Sequence, residues 1–352
     1  MGQGKKEWIS NLRVIATVCV VLLHVASSVL YKYNQVPNSH WWIGNVYDSL
    51  VRFSVPLFLM ITGALLLGRQ HSYPLFLKTK VIRILLPFVF WTAIYITYNF
   101  IEPPEFNGKL ASQSNFEWIL QQIQDGSSYH LWYIYMLMGI YLFIPIISKW
   151  AKGVCKRDIE YFLGIWVIVL IMKSSETAET NFEWSLWHYL GYLGYVVLGY
   201  YLSIINTKIK SLSVLAMLIF VIGLFITVYG TYYGTDNDGS FDKYYYSYLS
   251  PNVLLMAAGI FVLIKNLKVK ISGVLLKIRD LIDNYSYGIY LSHILVLNYL
   301  IMYGVDWDLI HPLIGIPLTT IITLIVSVAI VYLISKIPFG KYISGCLKSS
   351  NQ

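Results

Sequence analysis

Long apolar runs, interrupted at intervals by short polar and charged segments, make up most of the chain. A helix that crosses a bilayer needs about 20 mostly apolar residues. Ten stretches follow that pattern, at residues 9–31, 45–68, 84–101, 131–148, 159–173, 186–204, 212–233, 248–264, 285–303 and 312–335, the fifth being the shortest. The pattern predicts an all-α, polytopic membrane helix bundle of about ten transmembrane helices. No connecting loop approaches the length of a soluble domain, and the longest outer one, 102–130, has room for a short surface helix around 116–124. Residues 1–352 therefore read as a single membrane domain with no soluble domain appended.

In the first stretch, NLRVIATVCVVLLHVASS at 11–28, Arg13 and His24 break the apolar pattern. Eleven residues at about 100° and 1.5 Å each come to roughly 20° past three full turns and a rise of about 16 Å, so the two side chains lie on one line. Ala16, Thr17, Val20, Ser27 and Ser28 share that side, while Val14, Ile15, Val18, Leu22, Val25 and Ala26 cover the other. An ionisable group within a span costs roughly 2.5–3.5 kcal/mol on insertion scales and usually faces a bundle interior or a wet cavity. The polar line is thus expected to face inward and the Val/Leu side to face lipid. Arg13, near the helix start, is equally an interfacial anchor that snorkels to the headgroups. His24 is equally a histidine satisfied by a neighbouring helix.

Composition agrees with the periodicity, since 57% of the residues are apolar and only 12% charged, about half the charged share of a soluble domain. The basic head GKKEW precedes the first run, but no small-residue cleavage site follows it. The run therefore reads as a retained helix and not a removed signal peptide. A net charge of +8 would suggest a nucleic-acid partner, but Lys and Arg gather in alternate loops. Examples are Lys5 and Lys6, Lys78, Lys80 and Arg83, Lys149 to Arg157, Lys208 and Lys210, Lys265 to Arg279, and Lys336 to Lys348. The intervening loops collect acids such as Glu102, Glu105, Asp125, Glu176, Asp242 and Asp306. That alternation is what the positive-inside rule produces. It places the basic loops and both termini in the cytoplasm and argues against nucleic acid. Cys19, Cys155 and Cys346 form neither a disulfide framework nor a metal-ligand spacing, so free thiols and no metal are expected.

Further polar groups recur inside the later spans. Arg52 lies about as far inside the outer end of the second span as His24 does in the first, and a short outer loop makes the two helices neighbours. Arg52 either pairs with Asp48 one turn away or stands near the histidine to bind an anion or a developing oxyanion. NYSYGIYLSHILVLNY in the ninth span places His293 near mid-membrane with Ser286 and Tyr290 within two turns. That residue either packs on a neighbouring helix or lines a polar cavity. His130, Trp132 and Tyr133 open the fourth span and suit stacking on a sugar ring, although an interfacial aromatic belt also explains them. His40, His71, His188 and His311 fall in loops or at interfaces and read as solvated. No G-x-S-x-G elbow, H-E-x-x-H helix or phosphate-cradling glycine loop is present, which removes the usual support for a hydrolase, a metalloprotease or an ATP-driven pump.

With its Arg13-to-His24 spacing, the chain resembles the membrane-bound acyltransferase family 3, bacterial integral-membrane proteins that O-acylate carbohydrates. Supporting segments follow in order: RFSVPLFLMITGALLLG at 52–68, KTKVIRILLPFVFW at 78–91, HLWYIYMLMGIYLFIPI at 130–146, GYLGYVVLGYYL at 191–202, YSYGIYLSHILV at 285–296 and IPFGKYISG at 337–345. The resemblance implies an acyl-CoA donor, most simply acetyl-CoA, arriving from the cytoplasm. It also implies an acceptor hydroxyl on a surface glycan or its lipid-linked precursor, in the inner membrane of a bacterium. Carried over by position, His24 is the catalytic histidine, acting as general base or as acyl relay. Arg13 holds the CoA moiety or fixes the site. Lys80 and Arg83 supply charge for the CoA phosphates, unless they serve only as positive-inside anchors. Arg52, His130, Trp132, Tyr133, Tyr290 and His293 are the expected acceptor-side residues. A transporter on the same frame, with these residues lining a permeation path, is the competing expectation, and a silent partner in a glycan-assembly complex is a third. Oligomeric state is left open, a homo-oligomer included.

Overall fold

The computed structural model describes residues 3–102, 113–173, 186–206, 210–235, 241–267 and 271–346. These form fourteen α-helices and, among the described residues, no strand. In chain order they are α1 Gln3–Leu30, α2 Asn38–Val51, α3 Ser54–Leu66, α4 Tyr73–Phe76, α5 Ile82–Ile101, α6 Asn115–Asp125, α7 Trp132–Gly153, α8 Lys156–Lys173, α9 Leu186–Ile204, α10 Lys210–Gly234, α11 Pro251–Asn266, α12 Gly273–Met302, α13 Pro312–Lys336 and α14 Gly340–Ile343. All ten predicted stretches are helical over most of their length. Among the described residues, seven helical runs are long and apolar enough to cross a membrane: Glu7–Leu30, Asn38–Leu66, Tyr73–Ile101, Tyr129–Gly153, Ser211–Gly234, Tyr244–Asn266 and Pro312–Lys336. The helices α8, α9 and α12 are not among them. The first is charged at its start, and α12 begins at Gly273, well before the expected 285, so it takes in Lys277, Arg279, Asp280 and Asp283. Glu105, Glu176, Lys208, Lys268, Lys270 and Lys348, together with the side chains of Lys5, Lys6 and His188, lie outside the described residues.

The first helix runs through the middle of the bundle, packed by α2, α3, α11, α12 and α13. Its expected lipid-facing side is therefore corrected. Val25 and Ala26 are fully buried and pack with Leu297, Trp307 and Ile316, while Leu22 is partly covered by the same cluster. Periodicity gives no warning of this, because in a membrane an apolar face contacts lipid tails and neighbouring helices with nearly equal ease.

The second predicted span is two helices. Pro56 has no N–H to offer the carbonyl of Arg52, so the ladder breaks there, and α3 restarts from Phe53 with Leu57 N–H donating to its carbonyl at 3.0 Å. Glycines set the closest helix approach. A Cβ on Gly63 would stand 1.8 Å from the Val196 carbonyl oxygen, and one on Gly199 2.1 Å from that of Met60. Thus α3 and α9 meet backbone to backbone, the small-residue packing typical of membrane helices. The expected surface helix is α6, started by a capping box in which Ser114 Oγ accepts from Glu117 N–H at 3.2 Å and Ser114 N–H donates to Glu117 at 2.9 Å.

Candidate active site

Three imidazoles from three helices converge. His24 comes from α1, His130 from the 3-10 turn Tyr129–Leu131 that opens α7, and His293 from the middle of α12. Ring centroids are 5.2 Å apart for His24 and His293, 5.1 Å for His130 and His293, and 6.4 Å for His24 and His130. His293 is 0% and His130 2% exposed, whereas His24 is only partly buried. Tyr129, 63% exposed, lies edge-on to His24 at 5.3 Å. The cluster is thus sealed on the α12 side and opens beside Tyr129.

Backbone geometry selects one tautomer at His293. Its Nδ1 lies 2.7 Å from the Tyr290 carbonyl and 3.2 Å from that of Ile289, and a carbonyl can only accept, so Nδ1 carries the hydrogen. The Nε2 lone pair of the neutral ring is then left inside the cluster, buried and without a partner, as is Nε2 of His130. Buried polar atoms are rarely orphaned in native structures, and two of them facing one cluster suit a polar ligand or a proton in transit. Ser128 Oγ holds His130 Nδ1 at 2.9 Å, and the Tyr290 hydroxyl donates to the His130 carbonyl. Tyr290 therefore ties α12 to the start of α7.

Beneath this cluster lies a cavity of about 250 Å³, lined by Arg13, Lys80, Arg83, Tyr133 and Tyr290 together with apolar side chains of α3 and α7 such as Phe58, Ile61, Leu65 and Leu137. Its cations come from the first half of α1, from the turn that leads into α5 and from the start of α5. Tyr133 and Tyr290 sit between it and the histidines, their rings 5.5 Å apart, with Tyr290 also 5.5 Å from His130 and 5.7 Å from His293. The expected donor residues Arg13, Lys80 and Arg83 thus share one wall, and the expected Tyr133 and Tyr290 form its floor against the histidines.

A family described as an acyltransferase domain matches residues 6–335, nearly the whole chain. The chain belongs to this acyltransferase 3 family. Nodulation protein NolL of Sinorhizobium fredii (strain NBRC 101917 / NGR234) is 25% identical over 141 residues. That alignment spans 39% of this chain and 36% of the relative's length. No solved structure matches.

The remaining expected residues lie on the far side of the cluster. Arg52 pairs with Asp48, Nε to Oδ1 at 2.5 Å, with Asp48 0% and Arg52 12% exposed. The guanidinium also lies over the rings of Tyr246 at 4.2 Å and Tyr248 at 5.7 Å. The i, i+4 pairing is therefore formed, and Arg52 is not among the residues lining the cavity. Trp132 stacks on Tyr248 at 5.8 Å and 24°, joining the Arg52 cluster to the start of α7. His40 and His311 stand ring to ring at 5.2 Å, and His71 is not simply solvated: its Nε2 donates to the Leu66 carbonyl at 2.9 Å. Among the described residues no group of three or more His, Cys, Asp or Glu could hold a metal ion.

Sequence reasoning missed Asp283 and Ser10 in this family member. Asp283 Oδ1 meets Arg13 Nη1 at 2.5 Å, and Ser10 Oγ donates to Asp283 Oδ2 at 2.8 Å. One acid thus fixes the arginine that looks into the cavity. The only signal was an acid pair inside a basic run, KIRDLID at 277–283.

Proposed function

We propose that the chain is an integral-membrane O-acyltransferase that carries an acyl group, most simply acetyl, from a cytoplasmic acyl-CoA to a sugar hydroxyl of a cell-surface polysaccharide or its lipid-linked precursor, in the plasma membrane of a bacterium. One observation carries the reading: a cavity with three cations ends on Tyr290, whose ring lies against His130 and His293, so a thioester laid along the cavity runs toward the histidine cluster. Arg13, held by Asp283, together with Lys80 and Arg83 offers fixed positive charge to a phosphorylated donor.

His24, the imidazole open to the outer side, takes the proton from the acceptor hydroxyl as its oxygen attacks the thioester carbonyl. A general base of this kind works best with a pKa near the operating pH. The C–S bond breaks, and the proton held by His24 returns to the departing thiolate. His293, with its hydrogen pinned on Nδ1, presents a lone pair toward His24. The two rings lie 5.2 Å apart with no hydrogen bond between them, so His293 acts on His24 through packing and, once His24 holds the proton, by accepting from it. The Arg52 cluster with Trp132 lies where the sugar would rest.

Purified protein in nanodiscs, given labelled acetyl-CoA and a cell-envelope glycan fraction, tests this. Transfer that vanishes in His24→Ala while acetyl-CoA still binds is the expected result. No binding of acyl-CoA, together with solute flux in liposomes, overturns it in favour of a transporter.

A further inference from the structure

The motif IPFGKYISG has no role in the chemistry above, yet the fold uses it to make a reversal. After α13, Phe339 takes a left-handed conformation at φ 61°, and a Cβ on Gly340 would stand 1.7 Å from the Ile334 carbonyl oxygen. The chain turns back under α13 and α14 packs on α5. Gly288 of α12 lets the returning strand of chain close in, since a Cβ there would meet the Ser344 carbonyl oxygen at 2.1 Å, and Gly345 follows at φ +75°. The segment 341–346 is therefore docked against the bundle on tight backbone contacts.

What it docks beside is a second cavity of about 280 Å³, lined by Lys78, Thr79, Arg83, Lys341, Tyr342 and Gly345, among others. Arg83 and Gly345 also line the first cavity, so the two adjoin. The opposite wall is a π turn at Leu77–Val81, in which Ile82 N–H reaches back five residues to the Leu77 carbonyl. Single π turns of this sort are frequent at functional sites. The wider turn brings Lys78 and Arg83, five apart, to one cavity. Among the described residues no acid lines either cavity. The two compartments differ in chemistry: the first is walled largely by apolar side chains and leads to the imidazoles, while the second is rimmed by cations on exposed positions.

We propose that the second cavity seats the phosphate-bearing nucleotide end of the donor, with Lys78, Arg83 and Lys341 on its phosphates and Tyr342 beside its base, so that the recurved 341–346 segment is half of the donor site. This rests on the reading of the chain as an acyl-CoA-dependent transferase. Arg83, at the junction, meets the donor where its phosphates give way to the thiol arm, and that arm runs up the apolar compartment.

The test is competition binding of labelled CoA by 3′-dephospho-CoA and by pantetheine, which has no phosphate. Full-length protein is used in phosphatidylcholine nanodiscs and in nanodiscs containing an anionic phospholipid. Losing a charge-assisted contact weakens binding by about ten- to a hundredfold. Lys341→Ala and Lys78→Ala are each expected to cut the preference for CoA over pantetheine by about tenfold, and Lys341→Arg to restore it. Both lysines are exposed, so the variants keep the fold. If the wild type binds neither CoA nor pantetheine, the transferase reading itself fails. If it binds CoA and both alanine variants keep the wild-type preference, the transferase reading stands and this inference is overturned. A defect seen only in the anionic nanodiscs, and equal for CoA and pantetheine, also overturns it, because the cavity then serves a lipid headgroup.

Discussion

Replacing Asp48 by Asn strands the Arg52 charge. Asp48 is fully buried and Arg52 12% exposed, with Nε and Oδ1 2.5 Å apart, and arginine does not shed its proton in proteins. Breaking a buried pair by removing one partner costs about 3–5 kcal/mol. The cation–π contact with Tyr246 at 4.2 Å is present in wild type and variant alike, so the loss stays at about 3–5 kcal/mol. Removing both charges, Asp48→Leu with Arg52→Met, leaves neither a charge nor a polar group stranded, and apolar replacement of a buried pair is often neutral. The double variant should melt within about 1 kcal/mol of the wild type, recovering about 2 kcal/mol or more of what Asp48→Asn loses. Thermal unfolding in detergent, followed by intrinsic fluorescence, measures both variants against the wild type. A double variant no more stable than Asp48→Asn would refute the ion-pair reasoning. The same set separates structure from function at Arg52: the double variant should regain its stability without regaining acyl transfer. Full transfer would reduce Arg52 to a structural partner of Asp48.

Three further outcomes are expected. Gly199→Ala drives a methyl into the Met60 backbone, whose carbonyl oxygen stands 2.1 Å from the built Cβ. Overpacking of that kind costs about 1–3 kcal/mol, and a lowered melting temperature checks it; an unchanged one means that α3 and α9 are not in backbone contact. Tyr290→Phe removes the donor to the buried His130 carbonyl, at about 1–3 kcal/mol for the orphaned acceptor, and should lower kcat more than the KM for acyl-CoA, because it loosens the histidines and leaves the cations in place. At α6, the backbone N–H and then the side chain of Ser114 hold the Glu117 carboxyl below its ordinary range. Its contribution to the cap is complete above the usual glutamate pKa and is lost as pH falls through the lower folded value. Hydrogen exchange of 115–125, corrected for intrinsic rates, should rise through that acid window in the wild type but not in Glu117→Gln.

The helical frame and the cation wall were legible because both rest on local rules. Run length gives the helices, and an eleven-residue spacing puts Arg13 and His24 on one line. The clustering of Lys80 and Arg83 ahead of an apolar run likewise marks the mouth of a span. What could not be read is whatever depends on which helices meet. His130 and His293 lie 163 positions apart in the chain, and only the docking of α12 against α7, clasped by Tyr290, places their rings 5.1 Å apart. Asp283 was hidden for a related reason. Its run reads as a basic loop, and only the earlier start of α12 turns that loop into a helix that reaches Arg13. The buried C-terminal half of α1 was misread because an amphipathic stripe fixes which side must avoid lipid and leaves the other side free to face lipid or protein.

Those two failures have a common consequence for the mechanism. A helix packed by several neighbours carries its polar line as a fixed axis: α2, α3, α11, α12 and α13 pack on it, and Asp283 and Ser10 lock its N-terminal half through Arg13. The upper end meets His293, whose hydrogen is pinned by carbonyls of α12. The same helix α12 therefore grips the line at both Arg13 and His24, about 16 Å apart along α1. Under the proposed function, a donor at Arg13 and a base at His24 would be kept in register by one pair of helices, the preorganisation that transfer between two bound substrates requires.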